Sequence, residues 1–161
     1  MTMPAPVPPP PKTVYVNFIE EINPQRVNQF IAFCSQIIQQ QRPDVFQINF
    51  SSPGGNVAAG MVLFNFLKAI PSKLVMHNIG SVDSIATVIF LAGSERLANS
   101  NATFLFHGVM AGFNAQTALN YYQLKERLDG LKVDQDKISH TIRDLTTITQ
   151  AELDSLFLQG E

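Results

Sequence analysis

Three features of the chain could together carry out acyl transfer. Ser84 closes the segment Gly80-Ser81-Val82-Asp83-Ser84 and opens an apolar stretch. A tight turn, Ser51-Ser52-Pro53-Gly54-Gly55-Asn56, follows an apolar run. His107 ends another apolar run just before Gly108. A serine at a helix start can act as a nucleophile, and a histidine exposed at a strand end can take its proton. Backbone N–H groups in a glycine turn can stabilise the oxyanion that forms. Helix N-terminal N–H groups and the helix dipole would favour the same charge.

Such parts work only if the chain brings them to one edge of a sheet. Residues 13–18 are β-branched and aromatic and read as a strand. Asn23-Pro24 fits an N-cap followed by proline at the first helical turn, and the apolar face of Val27, Phe30, Ile31, Cys34, Ile37 and Ile38 carries that helix to about Gln41. Residues 45–50 and 73–79 read as further strands, each followed by a turn and a helix-like apolar segment, 57–70 and 84–92. Residues 60–70 are apolar nearly all round, which suits a helix buried on both sides or set in a subunit interface. A short strand or connector at 96–98, a turn at 99–101 and a strand at 103–107 follow.

From about 115 to 145 one helical pattern runs on, with Leu124, Leu128, Leu131, Ile138, Ile142 and Leu145 in an apolar seam and Gln135 as its polar position. A helix of that length projects beyond so small a domain, and its seam needs a partner such as another subunit. Gly130 is expected to weaken or bend it. Thr149 and Glu152 form a capping box that starts a last helix. Alternation of strands and helices predicts an α/β architecture with a mostly parallel sheet.

Each feature also has a plainer reading. The glycine turn could be structural, and Pro53 stiffens it. A phosphate cradle is rejected: Gly55 and Gly60 have the spacing, but Met61-Val62 stands where a lysine and a hydroxyl residue are required. Ser84 could be an N-cap, and Asp83 beside it could cap the helix or oppose negative charge. His77 reads as a satisfied mid-strand residue, and His140 as a solvated or subunit-contact position. Asp129, Asp134, Asp136 and Asp144 read as a solvated helix face, leaving Asp154 and Glu161 as later candidates for the acid that orients His107. Cys34 fills a core position rather than serving as a nucleophile.

The 161 residues form one domain with 45% apolar and 15% charged residues, which excludes a disordered chain. A net charge of −2 with no basic run gives nucleic-acid binding no support. One cysteine excludes an internal disulfide and a cysteine-based zinc cluster. No apolar run is long enough to span a membrane, and the N-terminus lacks the marks of a signal peptide, so a cytoplasmic location is the expectation. Residues 1–12 are a proline-rich arm, able to meet a proline-binding domain or to order in an assembly.

The arrangement resembles the proteolytic subunit of the Clp protease and, more widely, the Clp/crotonase superfamily. The run from Ile48 through Ser51-Ser52-Pro53-Gly54-Gly55 to Met61 is similar to the family's strand, Ser-Pro-Gly-Gly turn and helix. The segment ending at Ser84, the strand Phe104-Leu105-Phe106-His107 and the Gln116-Thr117 start of the long helix resemble the nucleophile, base and handle-helix segments. The resemblance covers residues 13–161 and implies repeated β-β-α spiral units. It implies Ser84 as nucleophile, His107 as base and the N–H groups of Gly54 and Ile85 as oxyanion hole. It also implies a homo-oligomeric ring, no metal or organic cofactor, a peptide or unfolded-protein substrate, and an ATP-driven unfoldase partner.

The chain departs from that pattern in three places. Val82-Asp83 precede and Ile85-Ala86 follow the serine, in place of small residues and Met-Gly. The connector from Ser84 to His107 is short. The family's triad aspartate aligns near Gly160, with Glu161 next and the usual C-terminal strand and helix missing, so the C-terminal part reads as truncated. Glu161 is then the third-member candidate, beside a Ser-His dyad. The competing functions are a degenerate subunit whose role is assembly and a crotonase-like acyl-CoA enzyme, which uses the oxyanion hole without a serine nucleophile.

Overall fold

The computed structural model describes residues 9–110, 112 and 118–159. Most of the proline-rich arm, the expected handle start at Gln116-Thr117, and Gly160 and Glu161 lie outside the described residues. Among the described residues, five strands and five helices follow in the order β1 (Thr13–Ile19), α1 (Pro24–Gln41), β2 (Val45–Ser52), α2 (Val57–Lys68), β3 (Lys73–Asp83), α3 (Ile85–Phe90), β4 (Glu95–Ala98), β5 (Thr103–Leu105), α4 (Tyr121–Leu145) and α5 (Gln150–Gln159).

All paired strands run parallel, in the order β1-β2-β3-β4, and β5 also pairs with β3. Strand β3 is therefore shared along its length. Its first half, Val75 to Asn78, lies beside β4, and its last part, Ser81 to Asp83, lies beside β5. Strand β5 thus continues the sheet edge past the point where β4 stops, which carries the following residues to the end of β3.

Alternation of side chains fixes which face is buried. Val16, Phe18, Phe46, Ile48, Phe50 and Met76 point into one core with Val27, Phe30, Cys34 and Ile37 of α1. Phe18 stacks on Phe50 and meets Phe30 edge-on. Tyr15 and Ile19 of β1 face outward. Helix α1 starts and stops as the sequence reads: Asn23 Oδ1 accepts from the Arg26 N–H at 2.9 Å, with Pro24 in the first turn. Its C-cap is Arg42, in the left-handed region at φ 46°, ψ 59°. Cys34 is fully buried, and that burial pushes its thiol up to about 12.

Helix α2 buries Leu63, Phe64 and Leu67 and exposes Val62, so burial on both sides gives way to the other setting expected for it, a subunit interface. Three expectations need correction. The segment 80–83 is strand rather than turn, because Ser51 bridges a register shift there. Its Oγ accepts from Ser81 N–H and donates to the Ser81 carbonyl, while Gly80 N–H is taken by Asn78 Oδ1. Strand β5 ends at Leu105, so His107 stands just beyond it. Helix α4 begins at Tyr121 because Asn120 and Gln123 form a reciprocal capping box, and it passes through Gly130 unbroken.

Only the C-terminal half of α4 meets the core, through Ile138 and Ile142. Tyr121, Tyr122, Leu124 and Leu128 are exposed. Helix α5 carries the expected capping box, with Glu152 accepting from the N–H and the hydroxyl of Thr149. Among the described residues no helix is long and apolar enough to cross a membrane.

Candidate active site

Two chain corners meet at the ends of β2 and β3. At the first, Gly54 and Gly55 take φ of +87° and +137°, values that an L side chain rarely adopts. The turn is held from below by the segment after β1. Ile22 N–H donates to the Gly54 carbonyl at 2.7 Å, and Asn56 N–H to the Ile22 carbonyl at 2.7 Å. Asn56 then caps α2 through the Ala59 N–H.

The second corner is Ser84 itself. It is the N-cap of α3 with φ 57° and ψ −129°, a region a serine occupies only at a cost of about 1–3 kcal/mol. Its side chain makes no capping bond. A cap role for Ser84's hydroxyl is thereby excluded, and Asp83 belongs to the strand rather than capping α3. The strain is maintained from outside: Ser84 N–H donates to the Leu105 carbonyl at 2.8 Å, and its own carbonyl accepts from the Thr87 N–H and hydroxyl. A strained serine thus stands at a strand-to-helix corner.

The corners touch. A Cβ on Gly54 would lie 2.7 Å from the Asp83 carbonyl oxygen and from Ser84 Cβ, and 3.4 Å from Ser84 Oγ. Behind them, Gly60 of α2 lies directly against the Ile85 side chain, which seats the first residue of α3. The Ile85 N–H heads that helix and has no carbonyl within it to bond. The Gly54 N–H points to the buried Ser52 Oγ at 3.1 Å.

His107 reaches the same edge through β5, two residues beyond the carbonyl that holds Ser84. Its ring is half-buried and not hydrogen-bonded to Ser84. Its Nδ1 lies 2.7 Å from the Gly108 carbonyl. A carbonyl only accepts, so in the neutral ring Nδ1 carries the proton and Nε2 keeps the lone pair. Among the described residues no carboxylate is bonded to His107. Asp154 is engaged by Gln150, and Asp129, Asp134, Asp136 and Asp144 pair with Lys125, Lys137, Lys132 and His140 on the solvated face of α4. His77 is satisfied by Asn99 at 2.9 Å.

Ser52 and Gln135 are the neighbours that a reading of residue types does not single out for the site. Ser52 gave no signal beyond preceding a Pro-Gly-Gly turn, where hydroxyls bond nearby N–H groups. Gln135 did give one, as the polar break in the apolar seam of α4. Its Oε1 accepts from the Val109 N–H at 2.8 Å.

The parallel α/β sheet thus brings a strained serine, a glycine turn and a histidine to one edge. The family model described as Clp protease matches residues 12–156, and the chain belongs to that family. Curated relatives are named ATP-dependent Clp protease proteolytic subunit. The one from Dehalococcoides mccartyi (strain CBDB1) is 30% identical over 100 residues, 61% of this chain and 50% of the relative. That from Deinococcus radiodurans is 27% identical over 109 residues, 66% and 53%. Subunit 2 of Tropheryma whipplei (strain Twist) is 28% identical over 102 residues, 60% and 56%. The chain thus spans about half the length of the curated relatives it matches.

Proposed function

We propose that the chain is a serine-type peptidase subunit that cleaves peptide bonds through an acyl-enzyme. The observation that carries this reading is the strained φ of Ser84 in direct contact with Gly54. The corner is only half-buried at Ser84, and its strained backbone leaves the hydroxyl free of any capping bond to its own helix. Ser84 Oγ attacks the substrate carbonyl as His107 Nε2 takes its proton. The tetrahedral oxyanion is held by the N–H groups of Gly54 and Ile85. His107 then gives the proton to the leaving amine, and water, activated in turn by His107, releases the acid and restores Ser84.

The hydroxyl of Ser52 competes for the Gly54 N–H, but a neutral oxygen at 3.1 Å is a weaker acceptor than an oxyanion. Membership of the family supports a peptide or an unfolded protein as the substrate class. The exposed apolar side chains of Leu124 and Leu128 support assembly into a homo-oligomer. Membership of the family is what suggests an ATP-driven unfoldase as the partner that delivers substrate. The third triad role proposed for Glu161 is testable by Glu161→Gln.

The rival is a subunit whose role is assembly only, and the His107 ring, bonded to the Gly108 carbonyl rather than to Ser84, is the observation on its side. A fluorophosphonate probe separates the two. The peptidase reading expects covalent labelling of wild type, none of Ser84→Ala, and labelling of His107→Ala slowed by about 10²–10⁴. Equal labelling of wild type and Ser84→Ala, or of neither, leaves the assembly reading in place.

A further inference from the structure

We propose that Gln135 is a positioning residue for His107, acting through the Gly108–Val109 peptide group. The two hydrogen bonds that lead to this belong to opposite sides of one peptide plane. Its carbonyl, from Gly108, accepts from His107 Nδ1 at 2.7 Å. Its N–H, from Val109, donates to Gln135 Oε1 at 2.8 Å. The plane is rigid, so fixing its N–H fixes the direction of its C=O. The histidine, the peptide and the glutamine form a continuous chain in which each bond polarises the next. A peptide oxygen made more negative by a bonded N–H does part of what a carboxylate does in a Ser-His-Asp triad: it selects the Nδ1–H tautomer and orients the ring.

The surroundings fit this assignment. Gly108 N–H is held by the Phe157 carbonyl of α5 at 3.4 Å, so the segment is clamped between two helices. The glutamine amide cannot be turned over without placing its NH₂ group against the Val109 N–H. Its Nε2 is buried with no partner among the described residues. An apolar residue would fill the seam of α4 without leaving a buried donor unpaired, so the glutamine is held for its oxygen.

The proposal rests on the reading of His107 as the base, but its first test does not need activity. In the ¹⁵N-labelled full chain at a pH where His107 is neutral, long-range ¹H–¹⁵N correlations should report the Nδ1–H tautomer. The Gln135→Met variant, close in shape but without the acceptor, should give a mixture of tautomers. Gln135→Glu keeps an acceptor and should keep the wild-type tautomer. If wild type labels at Ser84, Gln135→Met should slow labelling and kcat by about tenfold with KM little changed, less than the ~10²–10⁴ of losing the base. Gln135→Glu should restore most of the rate. An Nε2–H tautomer in wild type overturns the proposal. So does a folded Gln135→Met protein with unchanged tautomer and labelling rate. Failure of wild type to label removes the peptidase reading and leaves the tautomer result to decide the inference.

Discussion

Gly54 has no room for a side chain and no ordinary backbone conformation to offer one. A methyl group there would press within 2.7 Å of the Asp83 carbonyl and of Ser84 Cβ, at φ +87°. Gly54→Ala should therefore lower stability by about 1–3 kcal/mol, read from urea midpoints. If its N–H is an oxyanion donor, displacement of the turn should also slow ester hydrolysis by about 10²–10³. Full hydrolysis by a folded variant would remove Gly54 from the oxyanion hole. Ser52→Ala makes the opposite distinction. It removes the hydroxyl that competes for that N–H, so it should cost about 1 kcal/mol of turn stability while leaving kcat the same or higher. Asp83 makes no hydrogen bond in the described residues that would let it cap α3, so Asp83→Ala should not weaken the helix start.

At the level of elements, most starts and stops were legible because they rest on local chemistry. Asn23-Pro24 and the Thr149/Glu152 capping box say where helices begin whatever packs on them. The errors fall where a distant contact decides. Residues 80–83 look like a turn because Gly80 breaks the pattern, yet the Ser51 side chain from the neighbouring strand bonds both groups of Ser81 and keeps them in the sheet. The candidate site divides in the same way. Ser84, His107 and the glycine turn announce themselves by type and position, whereas the peptide that faces His107 has no sequence of its own. Two further outcomes belong here. Arg42 pays for a left-handed C-cap that glycine adopts freely, so Arg42→Gly should stabilise the chain by up to about 1 kcal/mol in urea unfolding. The Glu152 carboxyl is held below its ordinary value first by the Thr149 N–H and then by the Thr149 hydroxyl. Its contribution is present above the ordinary carboxylate pKa and is lost as pH falls through the lowered one. Amide exchange in α5 should therefore speed up in that acid window for wild type and show no such step for Glu152→Gln.

For the molecule as a whole, the long helix divides the expected seam in two. Ile138 and Ile142 are spent on the chain's own core, at 6% and 1% exposure. Leu124 and Leu128, at 49% and 67%, border an open apolar hollow with Tyr121 and Leu131. Aspartate at the two positions should therefore do different things. Leu128→Asp should dissociate an oligomer to folded monomers in native mass spectrometry. Ile142→Asp should unfold the chain, since a buried unpaired charge costs several kcal/mol. An unchanged mass for Leu128→Asp would mean that the exposed half of α4 makes no contact between copies. The buried thiol has a use of its own at this scale. Cys34 is the chain's single cysteine, sealed on the buried face of α1 and with its thiol pushed up to about 12. An alkylating reagent can reach it only when that seal opens. The native chain thus carries a clock for its own breathing: iodoacetamide uptake, counted by mass, should run at least ~10³-fold slower than in urea, and RT times the logarithm of that ratio gives the free energy of opening the core.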